Sequence, residues 1–241
     1  MQQRLQQALS DWQQWKTPFP LVNQPTVVRE LPGGLTNTTF LVAADNLQAV
    51  VRINSADSKK LGINRQREGE ILRRLQPTGL VPEVYYNDQQ ILVSEFIEGT
   101  VLNDRSLQNV EVKQALSVAI SQIQSVKMFG VEPRNYLQYC RDYIQQLPDK
   151  ALSPAVIETV EAVALEVDNE DWEPVICHHD LVPENIIIDD RAVFIIDWEY
   201  AALGHPELDF LMLDSNGVSS SLLELKQAMD TLWLAVRKQG Q

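Results

Sequence analysis

The sequence predicts an α+β fold with two parts: a small sheet-rich N-terminal lobe with one helix, and a larger, mainly helical C-terminal lobe. Up to about residue 97, short β-branched and aromatic runs alternate with turn residues, and one amphipathic segment lies between the third and fourth runs. Beyond that point, apolar residues recur at helical spacing, interrupted by one short apolar hairpin. Runs of strands followed by runs of helices are typical of α+β proteins, so we predict an antiparallel sheet lobe over 1–97 and a helical lobe over 98–241.

Composition narrows the class of protein before any motif is considered. The 241 residues, 44% of them hydrophobic, suit a globular chain of one large or two modest domains. No run approaches the ~18 apolar residues of a membrane span, and the N-terminus lacks the apolar core of a signal peptide, so we expect a cytoplasmic protein. The net charge of −13 argues against nucleic acid or an anionic membrane as the main partner. Cys140 and Cys177 could form one disulfide, but we interpret them as buried free thiols.

The elements of the N-terminal lobe follow from apolar periodicity and from the turn residues between them. A packing helix over 3–15 ends before Pro18, which cannot continue it. The later elements predicted for this lobe are strands at 26–31, 38–43 and 49–53, a helix at 64–76, and a hairpin of strands at 83–86 and 91–96.

Two polar features of this lobe have two interpretations each. The turn after the first strand contains Gly33 and Gly34, and a Gly-Gly turn between strands is first of all a hairpin turn. It can also act as a phosphate-covering flap, in which exposed N–H groups and the side chains of Thr36 and Asn37 donate to oxygens.

Arg52 lies in an apolar strand, either as an outward, solvated residue or as an inward residue aimed at an anion.

The C-terminal lobe is predicted from longer apolar stripes of helical period. Ser153 is the expected N-cap of one of its helices, and Ser220 or Ser221 of the last. The predicted helices before the last one are 111–128, 133–147, 154–167 and one beginning at 207–213.

The most informative stretch is 178–185, with the sequence H-H-D-L-V-P-E-N, which runs into two short apolar runs joined by a polar turn. These runs predict a tight antiparallel hairpin. If its turn centres near Arg191, Asn185 and Asp197 lie opposite each other at the open end, with Asp180 on the entering loop. Two oxygen ligands for a hard cation and a further carboxylate are what magnesium-dependent phosphoryl transfer needs. The alternative is an ordinary surface hairpin with polar ends.

Taken together, these motifs resemble those of a known family. The order of strand, Gly-rich turn, strand, strand with a cation, helix with an acid, two strands and helical lobe is that of the protein-kinase-like fold. The motif H-x-D-L-x-P-x-N at 178–185, followed by I-D-W-E-Y at 196–200, is similar to the aminoglycoside phosphotransferase and choline kinase family. The G-G-L-T-N turn and the V-V-R-I strand lean toward its choline, ethanolamine and thiamine kinase-like branch. The resemblance covers roughly 27–213.

The resemblance implies roles for the residues of the catalytic motif. Asp180 would be the catalytic aspartate, which orients the acceptor hydroxyl and takes its proton. Asn185 and Asp197 would hold the Mg²⁺ ions that bridge the phosphates of ATP. His178 would be structural, bonding the backbone near Asp197, and Asp209 would bond the catalytic loop.

It also implies a nucleotide site in the N-terminal lobe. Arg52 would contact phosphate as a fork-shaped donor. Its helix partner would be Glu68, with Glu70 as the second candidate. The backbone of Glu95 and Phe96, with the serine before them, would be the hinge that pairs with adenine. The flap residues of this site would be Gly33, Gly34, Thr36 and Asn37.

The acceptor is the least determined part of this hypothesis. A cationic hydroxyl compound of the choline, ethanolamine or thiamine type would need aromatic faces and acids, and Trp198 and Glu199 are the best candidates because they adjoin Asp197. An aminoglycoside would instead need many carboxylates around a wide mouth. A third possibility, a kinase-fold binding protein without turnover, stays open because only about thirty residues follow Asp209, where relatives build the acceptor pocket. The identity of the acceptor and the oligomeric state are left open.

Overall fold

The structure is a computed structural model that describes residues 1–32, 36–189, 192–214 and 218–237. Its helices are α1 (Gln2–Ser10), α2 (Arg65–Leu75), α3 (Val110–Ser125), α4 (Tyr136–Ile144), α5 (Pro154–Asn169) and α6 (Ser220–Arg237). Its strands are β1 (Thr26–Leu31), β2 (Thr38–Ala44), β3 (Leu47–Ile53), β4 (Val84–Asn87), β5 (Ile91–Glu95), β6 (Thr100–Val101), β7 (Val175–Cys177), β8 (Ile186–Ile188), β9 (Val193–Ile195) and β10 (Ala202–Gly204). The predicted α+β class is confirmed. The chain divides into two compact units.

The first unit comprises 1–58, 64–104 and 183–199. Its main sheet is antiparallel throughout, in the order β1-β2-β3-β5-β4. Alternate residues of β2, β3 and β5 form an apolar core because successive side chains of a strand point to opposite faces of the sheet. Val42, Val51 and Val93 in that core are fully buried, and α1 packs on it through Ala8.

Helix α2 lies between β3 and β4 in the sequence and begins at Arg65, one residue after the predicted start at 64. The side-chain oxygen of Asn64 accepts hydrogen bonds from the amides of the second and third helical residues, which would otherwise lack partners. The apolar side of the helix is buried through Ile71, Leu72 and Leu75, as expected from its periodicity. Two charged residues of the first turn, Arg65 and Glu68, are buried as well. Buried charges need partners, so this turn must face other polar groups.

The predicted catalytic hairpin is formed by β8 and β9, but its register differs by one residue from the assumed one. Ile188 pairs with Val193, and the amide of Ile196 donates to the carbonyl of Asn185 at 2.9 Å. Asn185 is therefore opposite Ile196, and Asp197 lies one residue beyond the paired end.

The short strand β6 extends this hairpin to a three-stranded sheet, in the order β6-β8-β9. The sequence predicted no strand here, only the boundary between the two lobes near residue 97. Gly99 permits the pairing, because a Cβ there would lie 2.7 Å from a side-chain carbon of Ile187 and 2.8 Å from the carbonyl oxygen of Ile188. A two-residue strand with exposed side chains carries no periodic signal, so the sequence could not reveal it.

The second unit comprises 59–63, 105–182 and 200–241 and is mainly helical, as predicted for this part of the chain. Helices α4, α5 and α6 pack around a core that contains Tyr136, Cys140 and Leu225. Helix α4 begins at Tyr136 and not at 133, because the side chain of Asn135 caps it by accepting from the amide of Gln138 at 2.6 Å.

Two further elements of this unit differ from the prediction. The helix expected from 207 is a four-residue 3-10 turn, Asp209–Met212. The strands β7 and β10 form an antiparallel pair that the sequence did not predict. Both strands are three residues long and almost fully buried, too short for a pattern of alternation. Within the described ranges, no helix has both the length and the apolar character needed to cross a membrane.

Candidate active site

The centre of the candidate site in the first unit is Arg52, on β3. Its side chain is 8% exposed, and its guanidinium lies 2.7 Å from a carboxylate oxygen of Glu68 and 3.3 Å from one of Asp197. Its Nε donates to the side-chain oxygen of Asn54 at 3.0 Å. Of the two interpretations of Arg52, the structure therefore shows the inward one. The anions that its guanidinium contacts are carboxylate groups. A planar guanidinium can serve three acceptors at fixed angles, which an ammonium group cannot.

Of the two acids that the sequence left open, Glu68 is the one whose carboxylate meets Arg52. Its side chain is 1% exposed and also pairs with Arg65, one turn earlier on α2, at 2.9 Å. Glu70 is half-buried and points elsewhere on the helix, because residues two positions apart do not share a face. Burial alone would raise the pKa of Glu68, but the two arginines outweigh it and hold the pKa of this carboxyl below its ordinary value.

Asp197 has an unusual backbone conformation. Its φ of +61° lies in the left-handed region, which costs a non-glycine residue about 1–3 kcal/mol and persists only where the surroundings impose it. Such residues cluster at functional sites. The side chain of Asp197 is 37% exposed. Its partial removal from water raises the pKa of its carboxyl, and the neighbouring carboxylate of Glu68 raises it further, whereas Arg52 lowers it.

Glu199, two residues further on, is buried. Its carboxylate lies 2.9 Å from Arg65 and accepts from the side-chain amide of Asn37 at 2.7 Å. Burial and the charge of Asp197 raise its pKa, while Arg52 and Arg65 lower it. Glu199 therefore faces protein partners within its own unit.

The flap residues are only partly covered by the structure. Gly33 and Gly34 lie outside the described residues, and Thr36 is half-buried at the edge of that gap. Asn37 is 8% exposed, and its side-chain oxygen accepts from Arg65 at 2.8 Å and from the amide of Ser55 at 3.2 Å. With its nitrogen on a carboxylate, both ends of this amide have protein partners. Contact of Asn37 with phosphate stays a prediction.

The donor groups of Asn185 and Asp197 suit a magnesium ion by their chemistry. A carboxylate and a carboxamide are hard oxygen ligands, and Mg²⁺ is usually held by one or two protein carboxylates with substrate phosphates and water as the other ligands. Both residues are half-buried. In the described part of the chain, no group of three or more His, Cys, Asp or Glu residues could hold a metal ion by itself.

The predicted hinge lies at the end of β5. The amide of Glu95 donates to the carbonyl of Glu83 at 2.8 Å, and its carboxylate accepts from the amide of Glu83 at 3.2 Å. Glu95 and Phe96 are half-buried. Their pairing with adenine stays a prediction.

The loop with the predicted catalytic aspartate belongs to the second unit. His178 is 1% exposed, and the amide of Asp180 donates to its Nδ1 at 3.3 Å. The two carboxylate oxygens of Asp209 accept from the amides of His178 and His179 at 2.7 and 3.1 Å. Burial raises the pKa of the Asp209 carboxyl, whereas His178 and the two amides lower it. Asp180 itself is half-buried.

A brace that the sequence did not reveal supports the same loop. His179 has a φ of +66°, and its Nε2 lies 3.3 Å from the hydroxyl of Tyr136, which accepts from the amide of His205 at 2.9 Å. Gly204 allows this approach, because a Cβ there would lie 2.6 Å from the Tyr136 hydroxyl and 2.7 Å from the His179 ring. No spacing rule links these residues, which lie on α4, after β7 and at the end of β10.

Arg65 is the other functional candidate that sequence reasoning missed. The available signal was its position three residues before Glu68, a spacing at which helical side chains are neighbours. Trp198, a predicted acceptor-site residue, is 2% exposed, and its indole N–H donates to the carbonyl of Ile195 at 2.8 Å. Its role and that of Glu199 toward an acceptor stay predictions.

Comparison with known proteins identifies the family. The protein LicA of Haemophilus influenzae is 25% identical over 203 residues, which cover 79% of this chain and 58% of LicA. Ethanolamine kinase 2 of Mus musculus is 24% identical over 73% of this chain and 49% of the kinase. This chain therefore spans only about half of the length of these curated relatives.

The crystal structure of the choline kinase LicA from Streptococcus pneumoniae superposes with a TM-score of 0.75 at 23% identity, over 99% of this chain and 91% of that one. This likeness confirms the predicted kinase-like fold. The family model described as the phosphotransferase enzyme family matches residues 27–234. Because that match extends over most of the sequence, this chain belongs to the phosphotransferase enzyme family.

Proposed function

We propose that the protein is a magnesium-dependent kinase that transfers the γ-phosphoryl group of ATP to a hydroxyl of a small, cationic metabolite. The observation that carries this proposal is Arg52, buried and held between the carboxylates of Glu68 and Asp197. A strand cation paired with a helix acid, next to a metal-binding aspartate, is the phosphate-binding arrangement of kinases.

The nucleotide side of the reaction is assigned to the first unit. Glu68 fixes the guanidinium of Arg52. The N–H groups of Arg52 that do not bind Glu68 are therefore oriented before the phosphate binds, and the side chain loses little conformational freedom on binding. Asn185 and Asp197 would hold the magnesium, which when bound neutralises charge on the phosphates. Glu95 and Phe96 would meet the adenine through their backbone.

The acceptor side is assigned to Asp180. Its carboxylate would orient the hydroxyl and take its proton as the bond to phosphorus forms. The amide contacts of Asp209 and His178 with this loop support the role, because a catalytic base needs a fixed backbone.

A choline- or ethanolamine-type alcohol is the best-supported acceptor class, with a thiamine-type alcohol as a further member. The support is the motif at 196–200 and the choline and ethanolamine kinases among the relatives and structural neighbours. Trp198 and Glu199 are buried in the first unit, so the groups that would bind the cation must also be sought among the other aromatic and acidic residues.

The test is a panel of acceptors scored by ADP release with MgATP. We expect choline, ethanolamine or thiamine to stimulate ADP release above the rate without acceptor, and Asp180→Asn to abolish the stimulation. Stimulation by aminoglycosides alone would favour an antibiotic phosphotransferase. No stimulation by any member of the panel would sink the kinase assignment and leave a kinase-fold binding protein.

A further inference from the structure

Arg65 joins four segments of the first unit in its buried interior. Its guanidinium, 3% exposed, lies 2.9 Å from Glu68 on its own helix and 2.9 Å from Glu199 after β9. It also donates to the side-chain oxygen of Asn37, just before β2, at 2.8 Å and to the hydroxyl of Ser58 at 3.0 Å. A lysine could not serve all four acceptors, because it has only three N–H donors and all of them lie on one atom.

These contacts close a ring with Arg52. Arg52 binds Glu68 and Asp197, Glu68 binds Arg65, and Arg65 binds Glu199, which is two residues from Asp197 in the chain. The ring contains two guanidiniums and three carboxylates, so each arginine is shared between two acids. Removing Arg65 takes the ion-pair partner from the buried Glu199, and removing Arg52 takes it from the partly exposed Asp197, whereas Glu68 keeps one arginine in either case.

The ring bears directly on the strained backbone of Asp197. On the N-terminal side, the chain is fixed because Ile195 pairs with Ile186 and the amide of Ile196 bonds the hairpin. On the C-terminal side, the buried Trp198 is held by its bond to the carbonyl of Ile195, and Glu199 is held by its pair with Arg65. A non-glycine residue stays at a φ of +61° only where the surrounding structure imposes it, and these contacts on both sides of Asp197 supply part of that constraint.

We propose that Arg65 is a positioning residue that sets the orientation of Asp197 toward the metal–nucleotide complex by anchoring Glu199. Arg65 also holds Asn37, which lies just before β2. This inference rests on the proposed function. Arg65 does not touch the reacting atoms; it acts through Glu199 and Asn37. The competing explanation is that Arg65 is a buried structural ion pair with no bearing on metal binding.

Two variants and a control separate these explanations. Arg65→Met removes the positive charge and the planar set of guanidinium N–H donors. Arg65→Met/Glu199→Gln removes both members of the pair, leaves an acceptor for Asn37, and so lessens the penalty of an unpaired buried charge. Arg73→Met is the matched control, because Arg73 is an exposed arginine on the same helix.

The main measurement is Mn²⁺ binding in the presence of a non-hydrolysable ATP analogue, followed by electron paramagnetic resonance, together with the KM for MgATP and kcat. We expect Mn²⁺ affinity to fall by about 10-fold or more in both Arg65 variants, as is typical when a residue that orients a metal ligand is lost. The control should bind as the wild type does.

The double variant decides the matter even if the single variant folds poorly. Wild-type Mn²⁺ affinity in a folded double variant would refute the positioning role and leave the structural explanation. Failure of the wild type itself to bind Mn²⁺ with the nucleotide would overturn the proposed function, and this inference with it.

Discussion

Glu68 offers the sharpest test of the buried charge network, because the sequence alone could not separate it from Glu70. Glu68→Gln keeps the size of the side chain and one acceptor oxygen but removes the negative charge that faces Arg52 and Arg65. Both arginines lie within 2.9 Å of the carboxylate, and all three side chains are at most 8% exposed.

Removing one member of a buried ion pair typically costs about 3–5 kcal/mol, because the remaining charge is left uncompensated. Each arginine here keeps a second carboxylate, Asp197 or Glu199, so we expect the lower end, about 3 kcal/mol. For a chain of this size that corresponds to a fall in Tm of roughly 6–12 °C.

The assay is thermal and urea unfolding of the wild type, Glu68→Gln and Glu70→Gln, followed by circular dichroism. Glu70 is half-buried on the same helix, and its neutralisation should change the free energy of unfolding by no more than about 0.5 kcal/mol. The two variants carry the same chemical change at positions two residues apart.

The pH dependence gives a second, independent prediction for Glu68. Its pKa is lowered in the folded protein, so its carboxylate contributes stability above the unfolded pKa of about 4.3, and this stability is lost as the pH falls through the folded value. The gap in stability between wild type and Glu68→Gln should be full at pH 7 and shrink below about pH 4. Equal losses of unfolding free energy in Glu68→Gln and Glu70→Gln would refute the reasoning. A stability difference between wild type and Glu68→Gln that does not depend on pH would refute it as well.

Three further predictions concern the second unit. Asp180→Asn should lower kcat by about 10²–10⁴-fold with nucleotide affinity unchanged, and retained turnover would show that the base is misassigned. Tyr136→Phe should destabilise the protein by about 1–3 kcal/mol, since it leaves the buried amide of His205 without its acceptor; an unchanged urea midpoint would contradict this. Burial raises the pKa of Cys140 to about 12 and that of Cys177 well above its ordinary value, so neither thiol should react with DTNB at pH 8 until the protein unfolds. Rapid labelling of the native protein would count against this burial.

Local sequence signals predicted the elements that they encode directly. Ser153 is the N-cap of α5, as predicted, because a side-chain oxygen at that position satisfies helix amides whatever the rest of the protein does. The motif at 178–185 likewise led to the family, since its residue types and spacing are specific. The short strands β6, β7 and β10 were not predicted, because two or three residues carry no measurable period.

The sequence by itself determined the fold class, the family and the residues proposed for metal and catalysis, because these depend on periodicity and on a contiguous motif. Only the tertiary structure decided that Glu68 meets Arg52 and that Arg65 ties Glu199 to Asn37. Asn37 and Glu199, which are also hydrogen-bonded to each other, are 162 positions apart in the chain. A charge buried at such a distance finds its partner through packing, and no rule of local spacing can assign it.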